Sequence, residues 1–143
     1  MIKKVLLFIF LLPIICFGQL SPQSKKITKK FFPDPNLEIN TPAFNKKKGF
    51  TKYDEMMFFL NEKISQHAEE ISLEFVGESQ KGKKIPILFF DRANNAEKVK
   101  VFFQAGLHGN EPASTEGILF LIDQLLSNPN YNKLLDRISL AII

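Results

Sequence analysis

Apolar residues change their spacing along positions 51–143, and this alternation is the feature that most limits the fold. Helical spacing begins near Thr51, where Thr51 and Asp54 have the separation of a capping box, and it returns after Pro112. Between and after these stretches the spacing becomes two, which is typical of half-buried strands. The predicted strands are residues 71–75, 85–90, 99–104 and 138–143. Helices that alternate with strands predict an α/β fold.

The connections between the predicted strands indicate how the sheet is built. Short connections favour antiparallel neighbours for the first three strands, and Pro86 indicates an edge or an entry position in the second. From Val99 onward, strand, helix and strand predict a right-handed parallel crossover. We therefore expect an incomplete mixed sheet, with antiparallel hairpins followed by a βαβ unit. Residues 141–143 resemble the middle of a buried strand with no helix after it, so we expect the amino-terminal piece of a larger protein.

Residues 1–18 are typical of a secretory signal peptide. Two lysines precede a short apolar run that ends at the small residue Gly18. The run is short for a membrane span, so we expect no stable membrane insertion after cleavage. Cys16 is the only cysteine and lies in this leader, which leaves the mature chain without a thiol nucleophile or a disulfide. A lipoprotein anchor at Cys16 is the weaker alternative, because a large residue precedes it. The expected location is secreted or periplasmic.

The charge of the chain is mild and unevenly placed. Lys and Arg exceed Asp and Glu by 19 − 15 = +4, and loss of the two leader lysines leaves 17 − 15 = +2. This excess is too small to indicate nucleic acid as a partner. Residues 19–50 are rich in lysine and proline, and we expect them to form an extended lead-in. Residues 51–143 then form the folded domain.

Residues 77–84 nearly match the phosphate-binding loop G-x-x-x-x-G-K-[ST]. Lys84 stands where that loop needs a hydroxyl, and a strand follows where it needs the N-terminus of a helix. A hairpin turn is the better interpretation of these residues.

His108 and Glu111 stand three residues apart, after a predicted strand and at the start of a helix. Imidazole and carboxylate are usual ligands of zinc, and ligands of open α/β sheets gather at the carboxyl ends of strands. Gly106 and Gly109 would allow close approach of the backbone. The spacing alone supports a metal site and a purely structural role equally. In the structural role, Glu111 would cap the helix and His108 would fill a polar loop.

Three blocks of the sequence resemble the amino-terminal part of zinc carboxypeptidases of the A and B type. They are the opening helix at residues 50–56, a G-x-S-x-x-G-[RK] hairpin at 77–83, and the strand that leads to H-x-x-E at 101–112. The blocks occur in the family's order within residues 41–127. The resemblance also supports the hairpin interpretation of residues 77–84.

The resemblance implies an exopeptidase that uses one zinc ion to remove C-terminal residues from peptides or proteins. It makes His108 and Glu111 the first two zinc ligands. The family's second histidine, its general-base glutamate and its carboxylate-binding arginine cannot be assigned in this chain, so we expect the fragment alone to be inactive. No catalytic residue is assigned for the same reason.

Two other functions stay open at this point. Many digestive-type members have Arg and an aromatic residue on either side of the ligand Glu, whereas this chain has Asn110 and Pro112. Gly109-Asn110-Glu111 also resembles the related zinc deacylases of N-acyl amino acids, of the aspartoacylase and desuccinylase group. An exported, non-catalytic binding module is the third possibility.

Three further polar residues favour structural roles. We expect His67 to be an exposed or capping residue at the end of the first helix, and Ser79 to be a solvated turn hydroxyl. Glu116 is one turn beyond Glu111 and could support the site, but a surface carboxylate is the stronger interpretation.

Overall fold

The computed structural model describes residues 24–32, 37–92 and 97–143. The chain divides into two units, Met1–Leu37 and Glu38–Ile143. The described part of the first unit contains helix α1, Lys25–Phe31. The elements of the second unit are α2 (Tyr53–Gln66), β1 (Ile71–Glu78), β2 (Lys84–Phe90), β3 (Val99–Phe103), α3 (Pro112–Ser127), α4 (Pro129–Asn132), a 3₁₀ turn (Lys133–Asp136) and β4 (Ile138–Ile142).

The four strands form one mixed sheet in the order β1-β2-β4-β3. β1 pairs with β2 and β2 pairs with β4 in antiparallel fashion, whereas β3 and β4 are parallel and are joined through α3. The predicted mixed α/β architecture is therefore confirmed, as are the first hairpin and the βαβ unit.

The prediction that β2 and β3 are neighbours is wrong, because β4 lies between them. β4 is the strand best suited to the centre, since its Leu140 and Ile142 are fully buried. Most β3 side chains are exposed, which suits an edge strand. Crossing one strand requires about 10 Å at a strand spacing of about 4.8 Å, well within the reach of residues 91–98.

Helices α2 and α3 cover one face of the sheet. The core contains Leu60 of α2, Leu119 and Ile122 of α3, and the β2 and β4 side chains that point toward them. Asp123 of α3 is also buried and forms an ion pair with Lys63 of α2 at 2.6 Å. The two helices therefore pack against each other as well as against the sheet.

Residues 77–84 form the hairpin between β1 and β2, as predicted. The Ser79 N–H donates to the Lys83 carbonyl at 2.8 Å, and Gly82 takes a φ of 72°, a left-handed conformation that favours glycine. Pro86 pairs only with β1, because the pairing of β2 with β4 begins at Leu88. Pro86 is thus at an entry position, where a missing N–H costs nothing.

The start of α2 differs from its prediction by one residue. The Lys52 N–H donates to the Glu55 carboxylate at 2.6 Å, so Lys52 and Glu55 take the places predicted for Thr51 and Asp54. Glu55 has the longer side chain that this interaction needs. The Thr51 hydroxyl is instead bound to Glu116 of α3.

The lead-in is not extended throughout, because residues 25–31 are helical. Ser24 caps this helix by accepting from the Ile27 N–H at 3.4 Å. Residues 41–45 form a turn in which the Thr41 carbonyl accepts two backbone N–H groups. The proposed leader at 1–18 lies outside the described residues. The predicted ends of the leader at residue 18 and of the lead-in at residue 50 stay predictions. Among the helices of the described ranges, none is long and apolar enough to cross a membrane.

Candidate metal centre

The candidate site is the loop between β3 and α3, at the carboxyl edge of the parallel pair. The backbone pairing continues past the end of β3, because the Ala105 N–H donates to the Ile143 carbonyl at 2.9 Å. Residues 106–111 then leave the sheet, and α3 begins at Pro112, with Glu111 as its N-cap residue. This is the position that was predicted for a ligand-binding loop.

His108 and Glu111 face each other across the turn. The His108 Nδ1 lies 3.0 Å from the Glu111 Oε2, and the Glu111 N–H donates to the His108 carbonyl at 2.9 Å. Both side chains are exposed, by 62% and 64%. An imidazole nitrogen and a carboxylate oxygen are therefore side by side and open to a third group.

The donor set can be compared with the requirements of zinc. Bonds of about 2.1 Å in a tetrahedral arrangement place two donor atoms about 3.4 Å apart. The observed 3.0 Å is close to that value, so a small rotation of either side chain would suffice. Within residues 24–32, 37–92 and 97–143, no cluster of three or more His, Cys, Asp or Glu residues could hold a metal ion. The pair thus supplies two donors where a catalytic zinc site uses three. Their assignment as ligands stays a prediction.

The loop that carries the pair is held at both ends by Ser114 of α3. The Gly106 N–H donates to the Ser114 Oγ at 3.1 Å, and that hydroxyl donates to the Glu111 carbonyl at 3.2 Å. Gly106 has a φ of 65°, and a Cβ there would lie 3.4 Å from the Thr115 hydroxyl. We did not identify Ser114 from the sequence; its only local signal is a hydroxyl three residues after the candidate ligand.

Glu116 has a role that neither interpretation of the sequence anticipated. Its Oε1 accepts the Thr51 N–H at 2.7 Å, and its Oε2 accepts the Thr51 hydroxyl at 2.9 Å. Glu116 is therefore not a free surface carboxylate, and its two hydrogen bonds go to Thr51 rather than to His108 or Glu111. It connects the start of α2 to α3 across 65 positions of sequence.

An apolar cavity of about 410 Å³ begins at Gly106 and Leu107 and runs between the helices and the sheet. Its walls come from α2, β2, α3 and the end of β4, but neither His108 nor Glu111 lines it. The candidate metal donors therefore lie outside the cavity, on the exposed side of the loop.

The remaining candidate residues have structural positions. His67 is the C-cap residue of α2, and its N–H donates to the carbonyls of Lys63 and Ile64, so the predicted cap is confirmed. The Ser79 hydroxyl accepts the Lys83 N–H at 3.1 Å inside the hairpin turn. It is thus a turn-stabilising group and not simply solvated.

The fold and this loop define a class of α/β protein in which an H-x-x-E pair lies between the end of a strand and the start of a helix. Residues 56–143 match the zinc carboxypeptidase family. This match extends over more than half of the chain, and the chain belongs to that family. The family resemblance of the sequence is thereby confirmed. The family's members are carboxypeptidases, which are hydrolases.

Individual relatives agree with this assignment. "Probable carboxypeptidase 2" of Trichophyton verrucosum is 31% identical over 72 residues, which cover 46% of this chain and 14% of the fungal protein. "Carboxypeptidase 2" of Trichophyton rubrum is 29% identical over 72 residues and is covered to 13%. The chain thus spans about one seventh of the length of these curated relatives.

Solved structures show the same fold. Carboxypeptidase A from Helicoverpa armigera superposes with a TM-score of 0.60 and 23% identity, over 66% of this chain and 24% of that one. A metallo-carboxypeptidase from Burkholderia cenocepacia gives a TM-score of 0.58 and 22% identity, over 64% and 25%.

Proposed function

We propose that the complete protein is an exported zinc carboxypeptidase that hydrolyses C-terminal peptide bonds, with His108 and Glu111 as two of its zinc ligands. The observation that carries the proposal is the 3.0 Å approach of the His108 Nδ1 to the Glu111 Oε2 at the end of β3. The pair lies inside the segment that matches the zinc carboxypeptidase family.

Zinc in such a site would polarise the scissile carbonyl and lower the pKa of a bound water. The residues of this chain would contribute two of the metal's three protein ligands. His108 would donate through Nδ1 and Glu111 through its carboxylate, and their exposure leaves room for substrate and for a further ligand. His67 is the only other histidine of the chain, and it caps α2. We therefore propose that the third ligand comes from a later segment of the complete protein.

The sheet supports the proposal that this chain is part of a larger protein. α2 and α3 cover the face that carries Leu140 and Ile142. Phe89 and Phe102 lie on the opposite face, on either side of Ala141, and are 37% and 60% exposed. Sheets with parallel strands are usually covered on both faces, so further chain would be expected to pack there.

Zinc content of the complete protein tests the site. Wild-type protein should bind zinc stoichiometrically, and His108→Ala should abolish this binding because it removes one of the donors. His67→Ala is the matched control, since it removes the other histidine from a helix end, and it should leave the zinc content unchanged. Unchanged zinc in His108→Ala would contradict the assignment.

Substrate assays separate the peptidase from the alternatives. Gly109-Asn110-Glu111 favours the deacylase group as the second candidate. A carboxypeptidase should release the C-terminal residue from a peptide of several residues, whereas a deacylase should act on an N-acetyl amino acid. Zinc binding with neither activity would favour the non-catalytic module.

Export is a separate part of the proposal and rests on the character of residues 1–18. The N-terminus of the protein recovered from the periplasm or the medium should be Gln19. Protein that stays in the cells and still carries Met1 would contradict export.

A further inference from the structure

We propose that Ser114 is a positioning residue, whose hydroxyl sets the separation of the two candidate zinc ligands, His108 and Glu111. This inference rests on the proposed function, because it concerns the same metal site. Ser114 accepts the Gly106 N–H at 3.1 Å and donates to the Glu111 carbonyl at 3.2 Å. One hydroxyl therefore bridges the residue where the loop leaves the strand and the residue where it enters the helix.

The loop needs such a bridge because little else restrains it. Residues 106–111 are all exposed, and two of them are glycines. Glycine has wide conformational freedom, so the distance between His108 and Glu111 is not set by local backbone preference. Within the loop, the backbone is restrained by the bond from the Glu111 N–H to the His108 carbonyl. The Ser114 bridge supplies the two further bonds that connect the loop to α3.

A serine hydroxyl in a helix often bonds the carbonyl three or four residues earlier for purely local reasons. Ser127 of the same helix shows this behaviour, because its Oγ donates to the Asp123 carbonyl at 2.6 Å. Ser114 differs in also accepting an N–H from Gly106, eight positions earlier and outside the helix. A serine hydroxyl has one proton to donate and lone pairs to accept, so both bonds can be made at once. The bond to Gly106 is therefore the feature that connects Ser114 to the loop of the candidate site and that an ordinary helical serine lacks.

Zinc affinity of the complete protein tests this role, measured by competition with a chelator. Ser114→Val and Ser114→Thr form a matched pair, because they have the same shape and branching and differ in the hydroxyl. Ser114 is exposed, so neither change disturbs the core. Ser114→Val should weaken zinc binding by roughly tenfold, at the lower end of the effect of residues that support metal ligands. Ser114→Thr should stay within about threefold of wild type, because a helical Thr can make the same bonds.

Ser127→Ala is the control for the general loss of a helix hydroxyl, and its zinc affinity should equal that of wild type. Amide hydrogen exchange of the zinc-free protein gives an independent readout, since Gly106 should exchange faster in Ser114→Val than in Ser114→Thr. Equal zinc affinity of the Val and Thr variants would overturn the proposal. So would a loss in Ser127→Ala as large as that in Ser114→Val.

These outcomes are distinguishable from failure of the proposed function. If His108→Ala abolishes zinc binding while Ser114→Val leaves it unchanged, the site is correct and the positioning role is wrong. If His108→Ala leaves zinc binding unchanged, the metal site itself is wrong. If Ser114→Val does not fold, Ser114→Ala takes its place as the variant without the hydroxyl, and zinc affinity equal to that of Ser114→Thr would again overturn the positioning role.

Discussion

Thr51 and Glu116 are joined by two hydrogen bonds, and their contribution to stability can be measured with a double-mutant cycle of Thr51→Val and Glu116→Ala. Thr51 lies just before α2 and uses both its N–H and its hydroxyl, at 2.7 and 2.9 Å from the two carboxylate oxygens. Glu116 lies in the second turn of α3, and both residues are half-buried. The bonds therefore join the starts of the two helices that cover the sheet.

The expected change in the free energy of unfolding depends on which hydrogen bonds each variant loses. A hydrogen bond to a charged group contributes about 1.5–3 kcal/mol, and partial exposure places these bonds at the lower end. Thr51→Val loses the hydroxyl bond and keeps the N–H bond, so unfolding should become about 1–1.5 kcal/mol easier. Glu116→Ala loses both bonds and leaves the Thr51 N–H without this partner, so the loss should be about 3 kcal/mol. In the double variant the hydroxyl has no bond to lose, which predicts a coupling energy of about 1 kcal/mol.

Urea unfolding of the complete protein at pH 7 gives these free energies, provided that the slope with denaturant is equal in all variants. Glu69→Ala is the control, because Glu69 is an exposed carboxylate and its removal should change stability by less than about 0.5 kcal/mol. Additive effects of the two substitutions would refute the reasoning, since independent residues show no coupling.

Two further predictions concern stability. Burial raises the pKa of Glu70, but hydrogen bonds from Asn132 and Arg92 lower it more, so its pKa lies below the ordinary 4.5. A lowered carboxyl pKa contributes stability that is complete above pH 4.5 and is lost as the pH falls through the lower, folded-state value. Arg92→Ala should therefore lower the free energy of unfolding in urea by about 1–2 kcal/mol at neutral pH. This loss of stability relative to wild type should become smaller below pH 4.5, and a loss that does not change with pH would contradict the prediction. Gly82→Ala should lower stability by about 1 kcal/mol in the same assay, because φ there is 72°, whereas Gly77→Ala should not; equal effects of the two would show that φ is not the cause.

The sequence predicted those parts of the fold that depend on neighbouring residues. The apolar stripe after Pro112 and the strands on either side of it appear where expected, because periodicity reports which side of an element is buried. The strand order could not be predicted in the same way. Whether β4 lies beside β2 depends on how completely Leu140 and Ile142 can be buried, which is a property of the whole sheet.

The candidate site shows the same division between local and distant determinants. His108 and Glu111 are three residues apart in one turn, so their approach was visible as a spacing. Thr51 and Glu116 are 65 positions apart and meet only because the sheet places α2 and α3 on one face. No sequence window contains both residues, so a motif search could not identify this pair.

The two supports of α3 should therefore have separable effects. Ser114 contacts the loop that carries His108 and Glu111, whereas the two bonds of Glu116 go to Thr51 at the start of α2. Loss of the Glu116 bonds should lower the free energy of unfolding but leave zinc affinity within about threefold of wild type, because an intact Ser114 bridge still sets the loop. Loss of the Ser114 hydroxyl should instead lower zinc affinity and leave the free energy of unfolding nearly unchanged. Zinc affinity that falls in parallel with stability in both variants would mean that the loop has no restraint of its own and depends only on the overall stability of the fold.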